Sequence, residues 1–442
     1  MIEQREDHRE VGTSVELFAG GGGLAMALHE AGFRHLLLNE FAKRACETLR
    51  ANQATKWLGT GHVPQGFDDP WPLIEGPVQD VDFTYLNGKV DVLAGGPPCQ
   101  PFSLGGDHKG HEDERNMFPQ FFRAVRETRP RAFICENVRG LLRPSFAPYF
   151  QYIVNELSMP FVERGDTSWE DHNEQIIAAK AVEPDGTDEA AQRYVVFVTP
   201  VNAADFGVPQ VRNRVIIVGF RLDLGVDTEV WEKFRPRKTH SEASLNNELR
   251  DPRSAYWRRH KKVPAAVRKQ VIARTPVVSP DDDELRFKPW RTLRDAVMGN
   301  PDAFPALPPL PQTGLIDYEE HPESPATNHI GWPGARVYTG HTPNLLDRPA
   351  KTVKAGVHGV PGGESVMMLD DGTHRYMTVR ETARVMTFPD DWKPVDPRGE
   401  QMRQLGNAVP VLLGQRFAEA VSDVLRSVAE SAGSEDESSR AA

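Results

Sequence analysis

Short apolar runs alternate with helical patterns through the first half of the chain. Residues 13–19 (TSVELFA) read as a strand, a glycine run follows at 20–23, and 24–31 read as a helix. A strand at 35–39 and a helix over 41–51 come next, then a buried strand at 90–94. Residues 116–127 place Met117, Phe118, Phe121, Phe122 and Val125 on one face of an amphipathic helix. Residues 131–135, 194–198 and 214–220 complete the set of strands. Strands alternating with helices predict an α/β fold, a mostly parallel sheet covered on both faces.

The rhythm breaks at 155–193, an acidic stretch with a turn signal at 183–186 (EPDG) that reads as an insertion. From about Arg221 the prolines cluster at 304–311, charges are dense and periodicity fades, which predicts a second, smaller and less regular domain. A helical pattern returns near Arg375, and 411–428 predict a closing helix. The expected organisation is a flexible start (1–11), a catalytic and cofactor-binding domain (12–221), an irregular domain (222–374), a return to the first domain (375–430) and a disordered tail (431–442, SAGSEDESSRAA).

Composition narrows the function. The 442 residues suffice for two domains. No apolar run reaches the length of a membrane span, and MIEQREDHRE does not resemble a signal peptide, so a cytoplasmic setting is expected. Three cysteines with no CxxC pair argue against a zinc ribbon or a disulfide framework, and no metal is expected. In a reducing compartment, a lone cysteine in an unusual local sequence is a candidate nucleophile. The net charge is −11, yet residues 231–270 hold twelve Lys or Arg against four Asp or Glu. That basic segment on an acidic body reads either as a solvated linker or as a phosphate-contacting surface.

Candidate chemistry begins at 15–23 (VELFAGGGG), a glycine turn between strand and helix that lets backbone N–H groups approach a ligand. Glu40 ends the next strand, where an acid commonly accepts from ribose hydroxyls; nicotinamide dinucleotides and S-adenosylmethionine both fit. The decisive stretch is 94–106 (AGGPPCQPFSLGG). Pro97, Pro98 and Pro101 stiffen the backbone where Cys99 is displayed, and nothing about core packing requires PPCQP.

GGPPCQPFS resembles the catalytic motif of the C5-cytosine-specific DNA methyltransferases, and further motifs follow in that family's order. VELFAGGGG is similar to its cofactor loop, Glu136-Asn137-Val138 to its ENV motif, and QVRNR (Gln210, Arg212, Arg214) to its Q-x-R-x-R motif. RPAKT (348–352) and QLGNAVP (404–410) resemble its later motifs. The resemblance covers roughly 15–220 and 348–428; the segment between matches nothing recognisable. Gly21, Val201 and Met386-Thr387 depart from the family pattern without removing a catalytic residue.

The resemblance implies a Rossmann-like class I S-adenosylmethionine-dependent methyltransferase sheet with a target-recognition domain. It implies a Cys99 thiolate adding to carbon 6 of a cytosine flipped out of duplex DNA, with Glu136 at N3, Arg212 on the base, Arg214 organising Glu136 and Cys99, and Gln210 supporting the catalytic loop. It places Phe18, Ala19, Gly20, Gly22, Gly23, Glu40, Phe41, Asp80, Pro97, Asn407 and Val409 around S-adenosylmethionine. Gln100, Ser103, Arg258, Arg259, Lys261 and Lys262, with Trp257 among them, would meet DNA. A monomer is expected, with any restriction or phage-defence nuclease on another polypeptide. The competing readings are an RNA cytosine-5 methyltransferase, a catalytically silent DNA-binding relative and a Rossmann dehydrogenase; the last leaves PPCQP and QLGNAVP without a role.

Overall fold

The computed structural model describes residues 10–57, 63–98, 116–302, 306–312, 315, 327–332, 334–337, 339, 341–355 and 365–440. The chain divides into two compact units: residues 1–201, 213–236 and 414–442 form the first, and residues 202–212 and 237–413 the second. The return to the first unit therefore comes at Gly414, later than the helical pattern near Arg375 suggests, because 375–413 packs with the second unit.

In chain order the first unit carries β1 (Gly12–Leu17), α1 (Gly23–Glu30), β2 (Phe33–Glu40), α2 (Lys43–Asn52), β3 (Ala54–Lys56), β4 (Trp71–Glu75), β5 (Val92–Gly95), α3 (Phe118–Thr128), β6 (Ala132–Val138), α4 (Ala147–Ser158), α5 (Trp169–Lys180), α6 (Thr187–Ala190), β7 (Tyr194–Asn202), β8 (Asn213–Arg221) and α7 (Thr228–Phe234). Eight strands form one sheet in the order β3-β4-β2-β1-β5-β6-β8-β7. The ladders from β3 to β6 are parallel, and β8 runs antiparallel to β6. The chain winds outward from β1 in both directions, so the strand order reverses between β1 and β5, the place where ligands bind at carboxyl ends of strands. Val15, Leu17, Leu93, Phe121, Phe133, Val215 and Ile217 are buried in the core beneath it. Strands β3 and β4 are absent from the sequence reading; WPLIE is short, and proline and glycine flank it on the chain. Trp231, taken from sequence as the start of the basic segment, stacks on Phe197 and packs beside Phe220.

The second unit is built from short pieces, as the fading periodicity implies: β9 (His240–Ser241), α8 (Glu242–Arg250), α9 (Ala255–Arg259), α10 (Ala265–Arg274), β10 (Lys288–Pro289), α11 (Leu293–Met298), β11 (Asn344–Leu345), β12 (Val366–Met368), β13 (His374–Tyr376), α12 (Val379–Val385) and α13 (Arg398–Asn407). Buried ion pairs hold much of it. Arg294 bridges Asp347 and Asp370 at 2.6 Å each, and Arg375 pairs with Glu381 at 2.6 Å. Leu245, Leu249, Tyr256, Trp257 and Val263 make a local apolar core.

The final helix, α14 (Val411–Arg440), begins at the end of the second unit and continues into the first. It is helical through Arg440, so the tail expected to be disordered from Ser431 is helix; SAGSEDESSR contains no proline to stop it.

The acidic stretch at 155–193 is also structured. His172 of α5 reaches into the first unit: its Nε2 lies 2.7 Å from the carbonyl of Val162, and its Nδ1 lies 3.0 Å from Tyr152 Oη and 3.1 Å from the Glu156 carboxyl. A ring that donates from Nε2 accepts at Nδ1, so the neighbouring acid is best protonated. Burial pushes Glu156 up to about 7, against the pull of Tyr152, Arg126 and Arg164, and burial lowers His172. A raised carboxyl favours the folded state most below the unfolded value of 4.5 and loses that advantage as pH rises through about 7. The lowered His172 acts in the opposite sense, so the carboxyl is read as a difference: the stability of wild type relative to Glu156→Gln, from denaturant titrations, should fall from pH 5 to pH 8, and parallel profiles for the two proteins would disprove the assignment.

Candidate active site

Three strand ends meet in register. Leu17 of β1 stands opposite Gly95 of β5, and Gly95 stands opposite Cys135 of β6. Phe18 and Gly96 therefore leave their strands beside Glu136, which is still held in β6, where the strand order reverses.

After Leu17 the backbone turns through left-handed conformations at Phe18 (φ 58), Gly20 (φ 55) and Gly22 (φ 88). A bulky residue at positive φ is strained, and such strain clusters at ligand sites. Glycine at 20 leaves the loop open: a Cβ there would meet only the Phe18 carbonyl, at 3.8 Å. The Ala19 amide donates to the Asn39 carbonyl (3.1 Å), and Gly23 opens α1. Glu40, nearly buried at the end of β2, ties the loop down by accepting from the amides of Gly20 (2.7 Å), Phe41 (3.0 Å) and Ala42 (2.7 Å). Burial raises Glu40, and those three amides pull it back. A carboxylate has about four acceptor positions, so Glu40 keeps one open to a further donor. Beside it the Phe41 ring is 75% exposed, an apolar face open to stacking. Asp80 lies exposed at the end of a short turn (Val78–Asp80). An open backbone loop, a buried acceptor and an exposed ring fit an adenosine-bearing group.

The second strand end carries the acid. Glu136 pairs with Arg214 of β8, Nε to Oε1 at 2.7 Å, with both side chains about nine-tenths buried. The β6·β8 ladder sets this distance, since Asn137 faces Val215 and Val138 faces Arg214. A Cβ on Gly96 would come within 3.3 Å of Glu136 Oε2, so the chain leaving β5 passes directly over the carboxyl. The Asn137 amide donates to the Pro97 carbonyl at 3.1 Å and holds that passage. Asn137 has no role of its own in the sequence reading; the contact depends on the β5·β6 register, which sequence periodicity does not give. Cys99, Gln100 and Ser103 lie outside the described residues, one to five positions beyond Pro98. The other two cysteines are poor nucleophiles. Cys135 is buried in β6, and burial, with Glu40 and Glu75 nearby, pushes the Cys46 thiol up to about 12.

Glu16, one residue before Leu17, was not singled out from sequence. It is 1% exposed, and burial, reinforced by Glu40, raises it well above the usual carboxyl range.

The QVRNR run straddles the two units, with Arg214 in the first and Gln210 and Arg212 in the second. Gln210 is buried; its Oε1 accepts from the Val353 amide (3.1 Å), and its Nε2 lies 2.9 Å from Met386 Sδ. Arg212 corrects an expectation. Only 1% exposed, it donates to the carbonyls of Val353 (3.0 Å), Gly406 (2.9 Å) and Ala408 (2.9 Å) instead of presenting its guanidinium to a base. Three acceptors and near-complete burial fix it as a clamp on the QLGNAVP backbone, on which Asn407 is exposed and Val409 buried.

Two residues expected at DNA are likewise occupied. Trp257 is 1% exposed in the local core, and its indole donates to the Leu249 carbonyl (3.0 Å). Arg259 pairs with Asp295 (2.9 Å) and Asp302 (3.2 Å). Arg258, Lys261 and Lys262 are exposed, as expected.

The sequence model of the C-5 cytosine-specific DNA methylase family matches residues 12–159 and 187–423, leaving out 160–186 within the acidic stretch. The chain is 31% identical over 421 residues to the type II methyltransferase M.PspPI of Psychrobacter sp. (strain TA137), covering 93% of this chain and 79% of that one. It is 26% identical over 490 residues to the DNA (cytosine-5-)-methyltransferase M.ApeKI of Aeropyrum pernix, covering 94% and 99%. Among solved structures, the Dnmt2 methyltransferase of S. pombe shares the fold at a TM-score of 0.50 and 14% identity, over 94% of this chain and 99% of that one. Among the described residues, no helix is long and apolar enough to cross a membrane.

The two arginines at the end of α9 should separate cleanly. Arg259→Ala removes the guanidinium from the buried Asp295 carboxylate, which keeps only His260 and Thr292 as partners, and should destabilise folding by about 3 kcal/mol. Arg258→Ala should leave the melting temperature within about 2 °C of wild type. Thermal melts of the two variants read the difference, and equal melting temperatures would contradict the pairing.

Proposed function

This chain belongs to the C-5 cytosine-specific DNA methylase family, and on that premise we propose how its own residues carry the reaction. It is a DNA (cytosine-5-)-methyltransferase, placing a methyl group on carbon 5 of cytosine in DNA.

The observation that supports the site best is the Glu136–Arg214 pair beneath the Gly96–Pro97 backbone, because it puts an oriented carboxyl directly under the chain that leads to Cys99. Carbon 5 of cytosine is a weak nucleophile. In our reading the Cys99 thiolate adds to carbon 6 of a flipped-out base, and Glu136 holds the proton at N3 that draws electron density from the ring. Addition leaves carbon 5 nucleophilic. Arg214 fixes the Glu136 carboxyl in one orientation, and burial of the pair strengthens that hold. The methyl donor is S-adenosylmethionine, which supplies an electrophilic methyl on a sulfonium. Glu40 would accept from its ribose hydroxyls and Phe41 would stack on its adenine, with the Phe18–Gly23 loop, Asp80 and Pro97 completing the first unit's cofactor contacts. Gln210 and Arg212 brace the second unit's own backbone at Val353, Gly406 and Ala408.

The substrate is read as duplex DNA and the enzyme as a monomer. The type II methyltransferase named among its relatives supports a self-marking role beside a restriction or defence nuclease carried on a separate chain.

DNA containing 5-fluorocytosine should trap the enzyme, because fluorine cannot leave carbon 5 as a proton does. A covalent complex that survives denaturing electrophoresis is expected with S-adenosylmethionine present. Cys99→Ser should give none; an adduct in that variant would move the nucleophile elsewhere. Glu136→Gln should lower kcat by about 10²–10⁴-fold while the protein still melts cooperatively; full activity would remove Glu136 from the chemistry.

A further inference from the structure

Several cations of the second unit meet acids. Arg294 meets Asp347 and Asp370, Arg375 meets Glu381, Arg384 meets Asp390, and Lys238 meets Glu284 and Asp205. One stretch departs from this. From Pro252 to Pro280 the chain holds eight Lys or Arg and no Asp or Glu. The ion pairs it makes lie in its first third: Arg259 meets Asp295 and Asp302, and Arg253 lies 4.0 Å from Asp251.

Three of the remaining cations line a groove. A cavity of about 420 Å³ between the α9–α10 turn and α10 is lined by Lys261, Val263, Ala265, Arg268, Lys269 and Ile272. Lys261 and Lys269 are exposed, and no acid partner for either appears among the described residues. Arg268 is held in place: its guanidinium lies 5.2 Å from the centre of the Trp257 ring. Trp257 is in turn fixed by burial and by its bond to Leu249, so this cation is set before any ligand arrives. Helix α10 buries none of its residues and shows its polar face outward.

Unpaired like charges at this density repel one another, and a polyanion relieves that repulsion. The apolar walls at Val263, Ala265 and Ile272 suit the deoxyribose faces between phosphates. We infer that this groove seats the phosphodiester backbone of double-stranded DNA through Lys261, Arg268 and Lys269, with a grip indifferent to base sequence. The inference rests on the reading that the substrate is a duplex. It adds Arg268 and Lys269 to the expected contacts and withdraws Arg259 and Trp257 from them. Sequence-independent phosphate contacts position a protein on the duplex without reading it.

The test is a salt titration of binding to a 30-base-pair duplex of scrambled sequence, comparing wild type, Lys261→Glu/Lys269→Glu, and a charge-matched control, Lys56→Glu/Lys89→Glu, in the first unit. Both substituted lysines in the groove are exposed, so the fold should survive. Loss of two phosphate contacts should lower the slope of log affinity against log salt by about 1.8, and the wild-type-to-variant affinity ratio should grow about twelvefold from 200 to 50 mM salt. The control should keep the wild-type slope. An unchanged slope in the groove variant, or an equal fall in the control, overturns the inference. So does calorimetric binding of inorganic phosphate at the groove with no change in DNA affinity, which would assign it to a small anion. Methylation at saturating DNA is read separately. The first-unit control should keep wild-type kcat; if no protein, wild type included, methylates DNA while the slopes differ as expected, the reading of the active site fails and the groove stands.

Discussion

The structure turns on one alignment: the β1·β5 and β5·β6 ladders end level at Leu17, Gly95 and Cys135, so that Phe18 and Gly96 leave the sheet beside Glu136, which β6 still holds. Hydrogen bonding along parallel strands fixes that level, and side-chain alternation makes it unforgiving. A slip of one residue in β6 would send Glu136 to the face of the sheet now taken by Cys135, inside the core. Everything chemical is hung from this edge. The glycine loop can turn because Glu40 catches its amide, the passage over Glu136 is held because Asn137 catches Pro97, and the carboxyl is aimed because β8 brings Arg214 alongside.

Much of this was legible from residues alone. The strands at VELFA, LLLN, DVLAG and AFICENV announce themselves by buried β-branched and aliphatic runs, and each was placed within a few residues of its observed span. The motif residues Glu136 and Arg214 were expected together and pair at 2.7 Å. What stayed hidden depends on distant packing. The strand at WPLIE is too short to show a period. The helices at 169–180 and 187–190 lie in a run of charges that looks like a solvated loop, and only the burial of His172 and Ile176 against the first unit's core makes the longer one a packed element.

Arginine was the residue least readable from sequence. Arg212, Arg214, Arg258 and Arg259 look alike in a string of letters, and each meets a different fate: a clamp on three carbonyls, the partner of a buried acid, an exposed cation, and one arm of a carboxylate network. A guanidinium offers five donors in a rigid fork, so its surroundings decide whether it braces backbone, aims a carboxylate or waits for a phosphate.

The ladder between β6 and β8 has a consequence for how such a protein can diversify. It brings Glu136 and Arg214 together on neighbouring strands, two positions apart in register, although some eighty residues of chain separate them, so the carboxyl–guanidinium spacing does not register how long that excursion is. The helical segment that the family model passes over, 160–186, lies on the excursion. New material can accumulate there, a lineage-specific docking helix or a whole grafted sensor, with no demand on the chemistry next door. That makes it a natural port for evolutionary tinkering and for protein engineering.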